Sequence, residues 1–223
     1  MISYSEQNID RPGLVYAGRS IEEESFRIID SEMGLHDFSA AQWQILRRII
    51  HTTGDFDYSR WIRFSTGAIE TGIAYLQKGA AVITDTRMIQ IGLAPWRLSY
   101  FGNKVITPAA DPASHRWAEE MCTTRSVAAF RKYHSQIGGS IVAIGNAPTA
   151  LLEVVRMIQE ESVRPTLIIG VPVGFVQAAE SKETLWGLQD QPAIIIQGRK
   201  GGSTVAVAIL HALLELAKTT PPK

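Results

Sequence analysis

A histidine at the end of an apolar helical run is the first candidate for chemistry. His51 closes Arg47-Arg48-Ile49-Ile50-His51, three residues before Gly54. The carboxyl end of a helix dipole favours the imidazolium form, and a group that titrates near neutrality can lend a proton to a substrate. A capping or half-buried structural histidine fits the same spacing. His36, His115, His134 and His211 have nothing that distinguishes them, and each reads as a surface or packing residue. Ser25, on the apolar stripe of an earlier helix, is either a bonded core hydroxyl or a ligand contact.

A second kind of chemistry lies in loops that follow apolar runs. GNAPTA begins at Gly145 with Asn146 as the expected cap and Pro148 at the first helical position. GVPVGFVQAAES carries Gly170, Gly174 and Phe175, and GRKGGST carries Arg199, Gly201, Gly202 and Ser203 as a cap. TTRS at 123–126 sets Arg125 between the hydroxyls of Thr124 and Ser126. Each offers backbone N–H groups at a positive helix end, where carboxylate or phosphate binds. Gly and Pro in any one of them could equally serve only the turn. Four converging on one cleft would suit a ligand with many negative groups.

Known nucleotide and hydrolase signatures fail. GRKGGST has Lys200 before its glycine pair, against the Walker A order. No G-x-G-x-x-G follows an early strand, and no G-x-S-x-G is present. Lys and Arg balance Asp and Glu at 22 each, which gives no reason to expect nucleic acid or an anionic membrane as partner. One cysteine, Cys122, excludes an internal disulfide and a cysteine metal cluster, and the histidines lack a ligand spacing. The polar start MISYSEQNIDRPG lacks the apolar stretch expected of a secretory signal, and no run nears the roughly 20 apolar residues of a membrane span. A cytoplasmic protein is expected.

The elements that must hold these residues are helical over 1–78 and alternate between strand and helix over 79–218, within one domain of 1–223. Ser20 with Glu23 reads as a capping box, and Ile21, Ile28 and Ile29 as the helix's apolar face. Ser39 caps a helix with Trp43, Leu46 and Ile50, and Ile69, Ile73 and Leu76 define another that stops at Gly79. Five runs then follow as strands: Ala81–Thr84, Lys104–Thr107, Ser140–Ile144, Thr166–Gly170 and Ala193–Gln197. Runs such as IVAI and AIII suit strands buried on both faces. The expected fold is an α/β/α three-layer sandwich with a mainly parallel five-stranded sheet. A last helix spans about Ser203–Lys218, and the tail TTPPK should fray.

EESFRIID, RRIIHTTGD, TRSVAA, GSIVAIGNAPTALLEV, GVPVGFVQAAESKE and GRKGGST, in this order from about Ile21 to His211, resemble the precorrin-8X methylmutase (precorrin isomerase) family. The resemblance implies migration of a ring methyl from C11 to C12 of a tetrapyrrole, as a suprafacial [1,5] shift without a cofactor. The product would be hydrogenobyrinic acid, or its cobalt complex where the substrate is cobalt-precorrin-8. It implies a homodimer whose active site is shared between subunits. It places the histidine thought to protonate a ring nitrogen at His51. The expected substrate contacts are Ser25, Thr84, Asp85, Thr124, Arg125, Ser126, Asn146, Gly174, Phe175, Arg199, Gly201 and Gly202. Arg125 and Arg199 would pair with carboxylates through their guanidinium forks, and Gly174, Gly201 and Gly202 would let backbone approach the ring.

The chain departs from the family at IGLAPWRL, where Ala94-Pro95-Trp96 replaces a polar segment, with Arg97 as a possible substitute. Two other classes compete: a non-catalytic corrinoid-binding protein, which would not need His51, and a phosphate- or nucleotide-binding α/β enzyme using GRKGGST.

Overall fold

The protein is described from a computed structural model covering residues 12–221, with side chains from Ser20 onward. Pro222 and Lys223, in the tail expected to fray, lie outside the described residues, as does most of the polar N-terminal stretch. The chain divides into two compact units, one ending at Asp37 and the other running from Phe38 to Lys223. The first holds helix α1, Pro12–Met33. Ser20 lies inside this helix, so it is no cap. The helix starts upstream at Pro12, where the missing N–H goes unpaired in any helix. Of the expected apolar face, Ile21 and Ile28 are exposed and Ile29 is buried.

The second unit opens with α2, Ala40–Thr53. Ser39 and Gln42 form a reciprocal capping box, and Gly54 in the left-handed region ends the helix by donating to the Ile50 carbonyl. His51 therefore sits in the last turn, as its spacing predicts. The following elements are α3 (Tyr58–Trp61), β1 (Ile62–Phe64), α4 (Ala68–Gln77), β2 (Val82–Thr84), α5 (Arg87–Gly92), α6 (Pro95–Leu98) and β3 (Val105–Ile106). Then come α7 (Ser114–Glu120), α8 (Arg125–Lys132), α9 (His134–Ile137), β4 (Ile141–Ile144) and α10 (Pro148–Glu160). The chain closes with β5 (Leu167–Gly170), α11 (Ala178–Trp186), β6 (Ala193–Ile196) and α12 (Ser203–Thr219).

The sheet has six strands in the order β1-β6-β5-β4-β2-β3, one more than the five expected. The extra strand, β1, lies in the part expected to be helical throughout and pairs antiparallel with β6, Ile62 opposite Ile196. Three residues show no period of their own; pairing with β6 makes them a strand. The other five strands fall inside their predicted runs, and all their pairings with one another are parallel. Every residue of β2, β4, β5 and β6 is buried, as strands covered on both faces require. Helices α2, α4 and α5 pack with α12, and α8 and α11 with α10, which gives the helical layers on either side of the sheet.

One charged network joins α8 to α10. Glu153 is 5% exposed; Arg131 grips both its oxygens, at 2.8 and 3.0 Å, and Arg156 donates to Oε1 at 2.6 and 3.0 Å. Burial alone would raise the carboxyl, but the two guanidiniums outweigh it and hold Glu153 below its ordinary value. A carboxyl depressed in the folded state stabilises above its unfolded pKa, and that stabilisation is lost as pH falls through the folded value. Both arginines keep access to water, at 39% and 31% exposure, so leaving them unpaired costs less than in a dry core. Glu153→Gln should therefore lower stability by about 1–3 kcal/mol at neutral pH. Urea unfolding at neutral and acidic pH should show this deficit shrinking as the wild-type carboxyl protonates.

Candidate functional site

The chain reverses direction across the sheet at β2. From β2 it passes to β3 on one side and then crosses to β4 on the other. Open α/β sheets bind ligands beyond the carboxyl ends of strands at such a reversal. A cavity of about 490 Å³ lies there. Asp85, Thr86 and Arg87 line it after β2, Thr107 and Asp111 after β3, and Asn146 after β4; His115, Arg125 and Ser126 complete the polar wall.

Asp85 organises this edge. It is 4% exposed. Its Oδ1 accepts from the N–H of Gly145 at 3.1 Å, and its Oδ2 accepts from Asn146 at 2.8 Å and Ala147 at 2.6 Å. Burial pushes the carboxyl up, and these three N–H groups draw it only part of the way back, so it stays above its ordinary value. The carboxylate fills the positive first turn of α10 that the sequence left open for a ligand. Ala147, not Asn146, holds the cap position, because the capping oxygen comes from another strand. Thr84 is also buried; its hydroxyl bonds Thr107 at 2.8 Å and so ties β2 to the residue after β3.

The cavity's carboxylates are thus spoken for. Asp111 accepts from the Tyr133 hydroxyl at 2.9 Å and the Ala113 N–H at 2.8 Å. Its two guanidiniums have only neutral partners among the described residues: Arg87 donates to the Ala110 carbonyl at 3.2 Å, and Arg125 to His115 Nε2 at 3.0 Å. A guanidinium has no acceptor, so His115 Nε2 is the acceptor in this contact. Arg125 and Ser126 begin α8, whose cap is Thr124; the Thr124 hydroxyl accepts from Val127 N–H and contacts Thr149. The cavity thus holds two guanidiniums whose bonded partners are neutral, beside two carboxylates already engaged by other groups.

The loops after β4, β5 and β6 lock together backbone to backbone. A Cβ on Gly201, at φ 150°, would stand 2.2 Å from the Val171 carbonyl oxygen, and one on Gly145 would stand 2.7 Å from Ser203 Cα. Gly202 N–H donates to Val171 and Gly174 N–H to Arg199. Gly202 is the cap of α12, with Ser203 its first helical residue and not the cap. Lys182 joins two of these loops by donating to the carbonyls of Pro172 at 3.0 Å and Lys200 at 2.9 Å, and burial lowers its ammonium to about 8. Lys200 in turn meets Asp55 at 2.5 Å, which ties GRKGGST to the end of α2 just beyond His51. Arg199 stacks on exposed Phe175, its guanidinium carbon 5.3 Å from the ring centre.

A second pocket, of about 590 Å³ and mostly apolar, lies between α2, α5 and α12. Met88, Ile91, Val207 and Ala208 form its body, with Arg48, Thr52, Thr204 and His211 at its polar points. His51 belongs to the same last turn of α2 as Thr52 and is exposed. Met88 and Arg87 are consecutive, so the start of α5 borders both cavities.

The structure gathers Asp85, Arg125, Ser126 and Asn146 in the polar cavity, with Thr84 and Thr124 supporting its walls. Gly174, Phe175, Arg199, Gly201 and Gly202 form the interlocked loops beyond β5 and β6. Ser25 lies in the first unit, its hydroxyl donating to the Ile21 carbonyl at 2.8 Å. Arg97, the substitute offered for the polar segment replaced by Ala94-Pro95-Trp96, pairs with Glu215 on α12 at 2.8 Å. Sequence reasoning missed Arg87 and His115. Arg87 stands three residues past the end of β2, in a stretch with no glycine or proline to mark it as a loop. His211, read as a surface or packing residue, accepts from the Ala94 N–H at 3.1 Å and lines the apolar pocket.

A model of the precorrin-8X methylmutase family matches residues 20–216. The cobalt-precorrin-8 methylmutase of Leptospira interrogans is 46% identical over 207 residues, covering 90% of this chain and 94% of that one. The precorrin-8X methylmutase of a Sinorhizobium species is 38% identical, over 88% of this chain and 93% of that one. A crystal structure of the precorrin-8X methylmutase from Thermus thermophilus superposes with a TM-score of 0.84 at 48% identity, covering 90% of this chain and 96% of that one. With the family model matching residues 20–216 and relatives of this identity aligning over nearly the whole length, the chain belongs to the precorrin-8X methylmutase family of isomerases.

Proposed function

We propose that this protein shifts the methyl group on C11 of precorrin-8X to C12, giving hydrogenobyrinic acid, or makes the same shift on cobalt-precorrin-8, in cobalamin biosynthesis. The observation that carries this reading is a pair of guanidiniums without a carboxylate partner among the described residues, one of which, Arg87, is one residue along the chain from an apolar pocket. A tetrapyrrole has matching parts: a broad apolar ring and a fringe of acetate and propionate carboxylates. The apolar pocket takes the ring, and Arg125, with Ser126, takes carboxylates. Arg199 and Phe175 offer a further cation and a ring face on the β5 and β6 loops. No helix among the described residues is long and apolar enough to cross a membrane; on this reading the protein works in the cytoplasm.

The reaction breaks the C11–methyl bond and forms the C12–methyl bond within one molecule, so no group enters or leaves. His51 is the proposed acid. It lends a proton to a ring nitrogen, which redistributes the π electrons along which the methyl migrates, and recovers the proton as product departs. One general acid is worth about 10²- to 10⁴-fold, and holding the ring in a reactive shape supplies the remainder. His51→Ala should therefore lose turnover by about that factor while its affinity for hydrogenobyrinic acid stays near wild type. Absorbance titration and single-turnover assays would test both halves, and full activity in the variant would remove His51 from the mechanism.

The polar cavity does not include His51 among its lining residues. We propose that a second copy of the chain completes the site, as a homodimer with residues of both subunits around one ring. Light scattering should give twice the mass of the 24.6 kDa chain, and a stable monomer with full activity would exclude a shared site.

A further inference from the structure

Arg87 has no role in the family motifs that describe this chain, yet it stands where a carboxylate would be received. Its guanidinium shares the switch-point cavity with that of Arg125. Each is held by a neutral acceptor, Ala110 O for Arg87 and His115 Nε2 for Arg125. The two acidic side chains in the same wall cannot neutralise them at close range, because Asp85 is turned into the first turn of α10 and Asp111 is bonded to Tyr133 and Ala113 N–H. The positive first turn of α8 adds to the same charge, since Arg125 and Ser126 line the cavity. Such a cavity is built for an anion, and planar forks favour a carboxylate over a spherical ion.

Building on the reading above, we infer that Arg87 and Arg125 together receive one carboxylate of the tetrapyrrole edge, with Arg87 a specificity-determining residue and His115 a positioning residue. His115 holds the Arg125 fork from behind as an acceptor. The carboxylate bridges the two guanidiniums and displaces neither Asp85 nor Asp111. Because Met88 faces the apolar pocket, fixing a carboxylate at Arg87 also fixes which edge of the ring enters that pocket. The pair acts on binding and registration of the ring, not on the migrating methyl.

Arg87 is exposed and makes a single hydrogen bond, so its removal should leave the fold intact. The decisive experiment compares wild type, Arg87→Met and Arg87→Lys in absorbance titrations with hydrogenobyrinic acid and with the same corrinoid carrying its carboxylates as methyl esters. Arg87→Met should weaken binding of the acid about 10- to 100-fold, the range of a lost charge-assisted hydrogen bond. Arg87→Lys should recover only part of this, since it keeps the charge without the fork. In turnover, KM should rise with kcat little changed. Ester binding should be the same for wild type and Arg87→Met. Unchanged binding of the acid by Arg87→Met, or equal loss for acid and ester, would overturn the inference while leaving the methylmutase reading in place. No binding of either corrinoid by wild type would overturn both.

Discussion

A buried carboxylate with no cation beside it among the described residues organises the carboxyl edge of the sheet. Taking an ionised carboxyl group out of water costs several kcal/mol unless other groups replace the lost solvent. Here three backbone N–H groups at the start of a 13-residue helix do so, and the helix dipole adds to them. Asp85 follows β2 and its partners follow β4, so the bond fastens the two strands at the point where the chain reverses across the sheet. The opening between them is therefore fixed in width before any ligand arrives.

That bond also sets the charge of the cavity. A carboxylate aimed into the recess would have neutralised Arg87 or Arg125. Turned instead into α10, Asp85 leaves both guanidiniums with neutral partners. The same economy recurs at Asp111, whose oxygens are taken by Tyr133 and a backbone N–H. Acidic side chains serve the scaffold here, and the basic ones keep neutral partners. A net charge of zero for the whole chain conceals this separation.

Local chemistry was legible in the sequence; partners brought from elsewhere in the chain were not. Ser39, Gln42 and Gly54 bracket α2 with groups a few residues apart, so the position of His51 could be read directly. The β-branched runs of β4, β5 and β6 announced themselves because both faces are buried. Strand β1 did not, since only Ile194 to Ile196 across the sheet give Ile62 to Phe64 their conformation. Asn146 looked like a cap because the true capping oxygen lies 61 residues earlier. Arg87 and His115 gained meaning only when β2 and β4 became neighbours. Gly201 was legible as a close approach, but what approaches it is the protein's own backbone, and Gly145, read only as a turn residue, meets Ser203 in the same way.

On the proposed function, this rigidity is where the protein's contribution to the rate lies. An intramolecular methyl shift asks for no incoming group and little charge transfer, so the catalyst's main means is to hold the ring in one shape and lend one proton. A mobile rim would surrender that advantage. The rim here is pinned at Gly201 against Val171, at Lys182 across two carbonyls, and at Lys200 against Asp55. The last of these links the β6 loop to the end of the helix that carries His51. The proposed acid and the loops that would bear on the ring thus share one scaffold, and the distance between them is set by bonds within the chain itself.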